Sequence, residues 1–331
     1  MHLLSIQRLL GMMLMLFSVT LLPPAAVSWF YDDGQLLIFV DGMLAVLVLG
    51  CLMWFPARRF REELRVRDGF LIVVLFWLVL GLAGAVPFTM SVTPEMSVTD
   101  AVFESFSGLT TTGATVITGL DELPKSILFY RQQLQWLGGM GIIVLAVAIM
   151  PMLGVGGMLL YRAETPGPLK DNKLTPRITE TAKALWYIYL SLTVLCAAFY
   201  WEAGMSGFDA IAHSFSTIAI GGFSTHDESI GYFQSTSIEM IAVVFMLLAG
   251  MNFALHFVAW RSLSFKAYFR DSELKAYLVV LSLVTAITVT YLYYTDTFIF
   301  FDEAVYAGLF QAVSIGTTTG FTTADYFDWP G

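Results

Sequence analysis

Apolar stretches about 20 residues long recur from one end of the chain to the other, each long enough to cross a hydrocarbon core of roughly 30 Å at about 1.5 Å per residue. Seven spans can be read, at residues 9–29, 35–55, 69–88, 136–153, 184–204, 238–259 and 276–295. They leave little room for a soluble domain among 331 residues. Composition agrees: 57% of residues are hydrophobic and 13% charged, about half the charged share of an ordinary soluble domain. Cys51 and Cys196 lie inside apolar runs and offer no disulfide or metal spacing. A net charge of −9 argues against nucleic acid as a partner.

The basic residues fall into clusters. Arg58, Arg59, Arg61, Arg65 and Arg67 share one connection, Arg162, Lys170, Lys173, Arg177 and Lys183 the next, and Arg261, Lys266, Arg270 and Lys275 a third. With Arg8 these are 15 of the 17 basic residues, all on one side of the spans. Cytoplasmic loops retain positive charge, so the N-terminus is expected on the cytoplasmic side. The opposite connections hold only Lys125 and Arg131 among bases, with acids such as Asp100, Asp209, Asp302 and Glu303. An acidic mouth concentrates cations.

Between the spans one design occurs three times. Asp100 to Thr115, Asp209 to Thr225 and Asp302 to Thr323 each begin with acids and end in a Gly flanked by Thr, Ser or Ile. Gly113, Gly222 and Gly320 lie 109 and 98 residues apart, and Ser107, Ser216 and Ser314 each stand six residues before them. The same alignment puts Glu104, His213 and Gln311 in register. Thr99, Ser206 and Asp302 look like helix caps, followed by about ten helical residues. Such a helix is about 15 Å long, half a bilayer, so it re-enters rather than spans. The chain must then return outward in non-helical form, which membrane depth tolerates only where the backbone is buried or lines water.

This pattern suits a cation filter, which replaces an ion's hydration shell with backbone carbonyl oxygens. Glycine supplies the backbone freedom that turns consecutive carbonyls toward one axis. Ile220 stands where the first repeat has Thr111, as expected if main-chain oxygens are the ligands. The expected cation site is Thr111, Thr112, Gly113, Ile220, Gly221, Gly222, Thr318, Thr319 and Gly320, acting mainly through backbone oxygens.

The segments Ser107 to Thr115, Gly221 to Thr225 and Val313 to Thr323 resemble the pore loops of the Trk/Ktr/HKT superfamily of potassium uptake proteins. The resemblance covers essentially the whole chain. It implies an all-α integral membrane protein of the bacterial inner membrane, in which parallel span, re-entrant loop, span repeats surround one pore with fourfold pseudosymmetry. It also implies K⁺ as the transported ion, with Gly113 favouring potassium where a serine would admit sodium. The chain reads as truncated after the third pore loop, at Pro330-Gly331. Its expected divisions are 1–68, two N-terminal spans and a basic loop; 69–160, pore repeat 1; 161–260, a basic loop and pore repeat 2; and 261–331, a basic loop and an incomplete repeat 3. Further implied are a homodimer in the lipid bilayer and a cytosolic TrkA-like subunit binding NAD or ATP. No nucleotide-binding motif occurs in the sequence, so no organic cofactor is expected in the chain itself.

No nucleophile and base pair or metal spacing points to an enzyme. K⁺/H⁺ symport and a less selective Na⁺/K⁺ pathway are the alternatives on this fold. Symport needs a titratable group in the pathway, and Glu104 and His213 are the candidates, either as proton carriers or as packing partners of the filter. Asn252 and His256, four residues apart, are expected to share one face of a span. Gly138 to Gly141 is expected to permit close helix packing.

Overall fold

The computed structural model describes residues 3–60, 66–141, 178–324 and 329. These form helices α1 (Leu3–Val19), α2 (Leu22–Tyr31), α3 (Leu36–Ala57), α4 (Val66–Met90), α5 (Val98–Leu109), α6 (Lys125–Gly139), α7 (Ile178–Glu202), α8 (Gly207–Ile218), α9 (Thr236–Ala249), α10 (Phe253–Ser262), α11 (Lys266–Arg270), α12 (Ser272–Tyr294) and α13 (Phe301–Gly316). Among the described residues there is no strand. Five helical stretches are long and apolar enough to cross a membrane: Leu3–Tyr31, Leu36–Ala57, Asp68–Met90, Lys183–Glu202 and Ser272–Tyr294. Much of the expected span at 136–153 lies outside the described residues, as do most of the second basic cluster, from Arg162 to Arg177, and Arg61 and Arg65 of the first.

The chain divides into two compact units, one made of Met1–Thr110 and Ala114–Lys183, the other of Thr111–Gly113 and Ala184–Gly331. In the first, α1 packs along α3 and α4, and α5 lies against α4 and α6. Its core runs through Leu14, Phe17, Phe39, Phe76, Phe88, Tyr130 and Leu134. In the second, α12 packs on α13, which also contacts α9.

The first span is not one straight helix. Pro24 has no N–H to offer the carbonyl of Thr20 four residues back, so α1 ends and α2 restarts with prolines in its first turn. Gln133 on α6 donates to the orphaned Thr20 carbonyl instead, at 2.5 Å.

The span expected at 238–259 is a second correction. It is two helices, α9 and α10, bent by 88°. The break at Gly250 to Asn252 leaves carbonyls at the end of α9 without helical partners. His256 Nε2 donates to the Leu248 carbonyl at 2.9 Å and the Tyr277 hydroxyl to that of Leu247 at 3.3 Å. Asn252 is the N-cap of α10, accepting from the Ala254 N–H at 3.0 Å. Asn252 and His256 thus secure a helix break rather than share the face of one span.

Gln133→Leu removes the only side-chain bond on the Thr20 carbonyl among those described. It is expected to lower unfolding stability in mixed micelles by about 1 kcal/mol. An unchanged unfolding midpoint would show that this carbonyl has another partner.

Candidate functional site

Helices α5, α8 and α13 have 12, 12 and 16 residues, about 18 to 24 Å, too short to span. Ser97 and Ser206 cap the first two, accepting from the Asp100 and Asp209 N–H groups at 3.2 and 3.1 Å. Each serine hydroxyl also donates to its aspartate's carboxylate, at 2.8 and 2.7 Å. Of the three expected caps only Ser206 therefore serves. Ser97 replaces Thr99, and α13 begins after Phe300 without a side-chain cap, its Asp302 and Glu303 lying in the first turn.

All three helices stop in the same way. The residue after each C-cap is left-handed: Thr111 at φ 55°, Ile220 at φ 48° and Thr318 at φ 65°. In the second repeat the Ile220 N–H bonds to the Thr217 carbonyl at 3.1 Å and Gly221 to Ser216 at 2.9 Å. In the third, Thr318 bonds to Ile315 at 3.0 Å and Thr319 to Ser314 at 2.8 Å. This is the Schellman pattern of helix ends, where glycine is the usual residue. β-Branched side chains there carry strain of about 1–3 kcal/mol each. Two residues later the backbone is left-handed again, at Gly113 (φ 76°), Gly222 (φ 81°) and Gly320 (φ 84°). Two left-handed residues around one other residue break the extended chain's alternation, in which successive carbonyls point to opposite sides.

The loops lie edge to edge within the second unit. A Cβ on Gly113 would run into the Gly221 carbonyl oxygen, and one on Gly222 into the Thr319 carbonyl oxygen. Each contact joins a filter glycine to the residue just before the next repeat's glycine. In the third loop, the Gly231 N–H also donates to the Thr322 carbonyl at 3.0 Å, and the Thr322 N–H to Ser229 Oγ at 3.2 Å. Gly113 thus meets Gly221 and Gly222 of the second loop, and Gly222 meets Thr319 and Gly320 of the third.

Polar side chains from the short helices pin the returning chain. Glu104 is fully buried and accepts from Thr115 Oγ1 at 3.0 Å, from the Val116 N–H at 3.3 Å and from Arg131 Nε at 2.7 Å. His213 Nε2 meets Ser224 Oγ at 2.9 Å, while its Nδ1 faces the Asp209 carbonyl at 2.9 Å. Gln311 Nε2 donates to Thr323 Oγ1 at 3.3 Å. Three residues aligned by sequence therefore perform one task with three chemistries. The aligned serines perform another: Ser107 Oγ donates to the Ala114 carbonyl at 2.5 Å and Ser314 Oγ to the Phe321 carbonyl at 2.7 Å. Ser216 Oγ, buried at the same position, has no hydrogen-bond partner among the described residues.

Sequence reasoning missed Arg131. Counted with the outer connections, it is instead buried on α6, which starts at Lys125, 11 residues before the expected span. A helix can carry a guanidinium into the interior when a carboxylate neutralises it, and the carboxylate here is Glu104. Close packing at Gly138 is as expected, since a Cβ there would strike the Leu109 carbonyl. At the start of α8, burial pushes the Asp209 carboxyl up, yet bonds from His226, Ser206 and Thr225 outweigh it and hold the group well below the usual carboxylate range. The charge at this helix start therefore persists at neutral pH.

Residues 36–331 match the TrkH family, described as cation transport protein. The Trk system potassium uptake protein TrkH of Vibrio parahaemolyticus is 60% identical over 332 residues, covering 98% of this chain and 68% of that protein. TrkH of Escherichia coli K12 is 54% identical over 330 residues, covering 100% and 68%. TrkG of the same organism is 39% identical over 329 residues, covering 99% and 68%. The crystal structure of the potassium transporter TrkH from Vibrio parahaemolyticus superposes with a TM-score of 0.88 at 56% identity, covering 100% of this chain and 68% of that one.

Glu104→Gln leaves the Arg131 guanidinium buried without its charge partner, with an expected loss of about 3 kcal/mol in unfolding experiments. Ser314→Ala should lower stability by about 1 kcal/mol and Ser216→Ala by less than about 0.5 kcal/mol. Equal losses for the two serines would contradict the difference in their bonding.

Proposed function

The chain belongs to the TrkH family of cation transport proteins, and from that membership we propose that it takes up potassium ions across a bacterial inner membrane through a filter of backbone oxygens. Its family consists of transporters, not enzymes. The ligands are the main-chain oxygens of Thr111, Thr112, Ile220, Gly221, Thr318 and Thr319, next to Gly113, Gly222 and Gly320. One observation carries this reading: Gly113 and Gly222 are each packed so closely on the next repeat's carbonyl that no side chain fits. A site built on main-chain oxygen tolerates Ile220, whose side chain offers no ligand. The names of the relatives, potassium uptake proteins, supply the ion.

The N-terminus is cytoplasmic, by the clustering of basic residues, and the acidic face is outside. On this reading the repeats divide the chain at about residues 68, 160 and 260. Inward movement is driven by the membrane potential, worth about 2.3 kcal/mol per 100 mV for a unit charge. Proton coupling is the less favoured reading, because both candidate carriers are engaged. Glu104 is tied to Arg131 and Thr115, and His213 to Ser224 and the Asp209 carbonyl. Two copies pair in the membrane, and a cytosolic nucleotide-binding partner docks on the basic loops and sets the gate.

Full-length protein expressed in a bacterium deficient in potassium uptake should restore growth on low K⁺ and take up rubidium. Gly222→Asp should abolish both at equal membrane abundance, because the new side chain collides with the Thr319 carbonyl. Gly113→Ser, whose side chain meets the Gly221 carbonyl, should lower uptake and lose preference for rubidium over sodium in what remains. Unchanged selectivity in Gly113→Ser would sink the filter assignment.

A further inference from the structure

The bent span leaves a groove that the transport reading does not use. Helix α9 has 14 residues, about 21 Å, so its 88° turn into α10 falls about two thirds of the way across a roughly 30 Å hydrocarbon core. Helix α10 then leads into a loop and the short α11. This stretch mixes exposed apolar side chains with bases. Trp260, Leu263, Phe265 and Phe269 are 53%, 89%, 79% and 76% exposed, and Arg261, Lys266, Arg270 and Lys275 are exposed among them. Aromatic and basic residues interleaved in this way belong at the headgroup level of a bilayer.

Between this stretch and α7 lies a cavity of about 380 Å³, walled by Ile188, Leu192, Ala259, Trp260, Leu263 and Phe265 among others. Its polar lining includes His256, whose Nδ1 meets the Tyr268 hydroxyl at 2.8 Å. Lys266 and Arg270 stand four apart on α11 and so share its face. The nearby acids are engaged elsewhere. Asp271 caps α12 by accepting from the Leu274 N–H at 2.7 Å, and Glu273 accepts from Asn252 Nδ2 at 3.4 Å. Four bases, Arg261, Lys266, Arg270 and Lys275, against these two carboxylates leave the rim net positive, and the groove behind it is apolar.

We propose that this groove is a binding site for an anionic phospholipid of the adjacent leaflet, with one acyl chain against Leu192, Trp260 and Phe265 and the phosphate between Lys266 and Arg270. Charge complementarity selects the occupant. A second copy of this chain would set one basic rim against another, whereas an anionic headgroup neutralises it. The proposal is independent of the filter and of which ion is carried.

Full-length protein in nanodiscs of mixed phosphatidylethanolamine and phosphatidylglycerol, released into native mass spectrometry, tests this. Wild type should retain phosphatidylglycerol in preference to phosphatidylethanolamine. Lys266→Ala combined with Arg270→Ala should cut that retention about tenfold. Both residues are exposed, so folding should survive, with a single gel-filtration peak and an unchanged unfolding midpoint as the check. Ser191→Trp, placed in the groove wall with the bases intact, should also displace the lipid. Equal retention of the two lipids, or retention unaffected by either variant, overturns the proposal. A disulfide between two chains through Ser191→Cys also overturns it, by making the groove a contact between copies.

Discussion

A dehydrated cation inside a membrane must find oxygen atoms already in place, because nothing there can reorganise around it as water does. A backbone can present them only where successive carbonyls turn to one side, and the filter we propose rests for this on left-handed residues two apart: Thr111 and Gly113, Ile220 and Gly222, Thr318 and Gly320. Glycine takes that conformation without penalty, but isoleucine and threonine do not. Three strained helix ends therefore precede the three loops, and much of the surrounding hydrogen bonding holds them in that state. Strain of this kind persists only where the neighbourhood over-determines it.

The means of holding differ from repeat to repeat although the task is the same. The first loop is held by a buried ion pair, Glu104 and Arg131, that also grips Thr115. An imidazole holds the second and an amide the third. The serine strap that ties the carbonyl after the glycine is present in the first and third repeats, while Ser216 makes no such bond. A common rule links these loops to the broken helices elsewhere. Where a helix is interrupted among apolar surroundings, a neighbouring side chain takes up the freed backbone group, as Gln133 does for Thr20 and His256 for Leu248.

Much of this was legible in the sequence because periodic features announce themselves. Apolar runs gave the helical membrane architecture, and three aligned glycines located loops that the structure does bring together. The aligned Glu104, His213 and Gln311 were visible as a register, but three unlike side chains give no hint of a shared role until the hydroxyls of Thr115, Ser224 and Thr323 are seen beside them. Helix breaks were harder. Hydropathy is blind to direction, so an 88° turn inside an unbroken apolar run reads as one span. Pro23 and Pro24 were in plain view, yet proline in a membrane helix is tolerated often enough to give no firm signal. Arg131 reads as a loop residue in the sequence because its charge stands alone there, whereas a carboxylate 27 positions earlier, Glu104, carries it into the interior.

The most direct test of the central claim is anomalous diffraction from crystals of the full-length protein grown with rubidium in place of potassium. The account predicts anomalous peaks on the axis between the loops, within coordination distance of the main-chain oxygens of Thr111, Ile220 and Thr318 and of the residues that follow them. Peaks lying instead against the carboxylates of the outer connections, with none beside Gly113, Gly222 and Gly320, would contradict it.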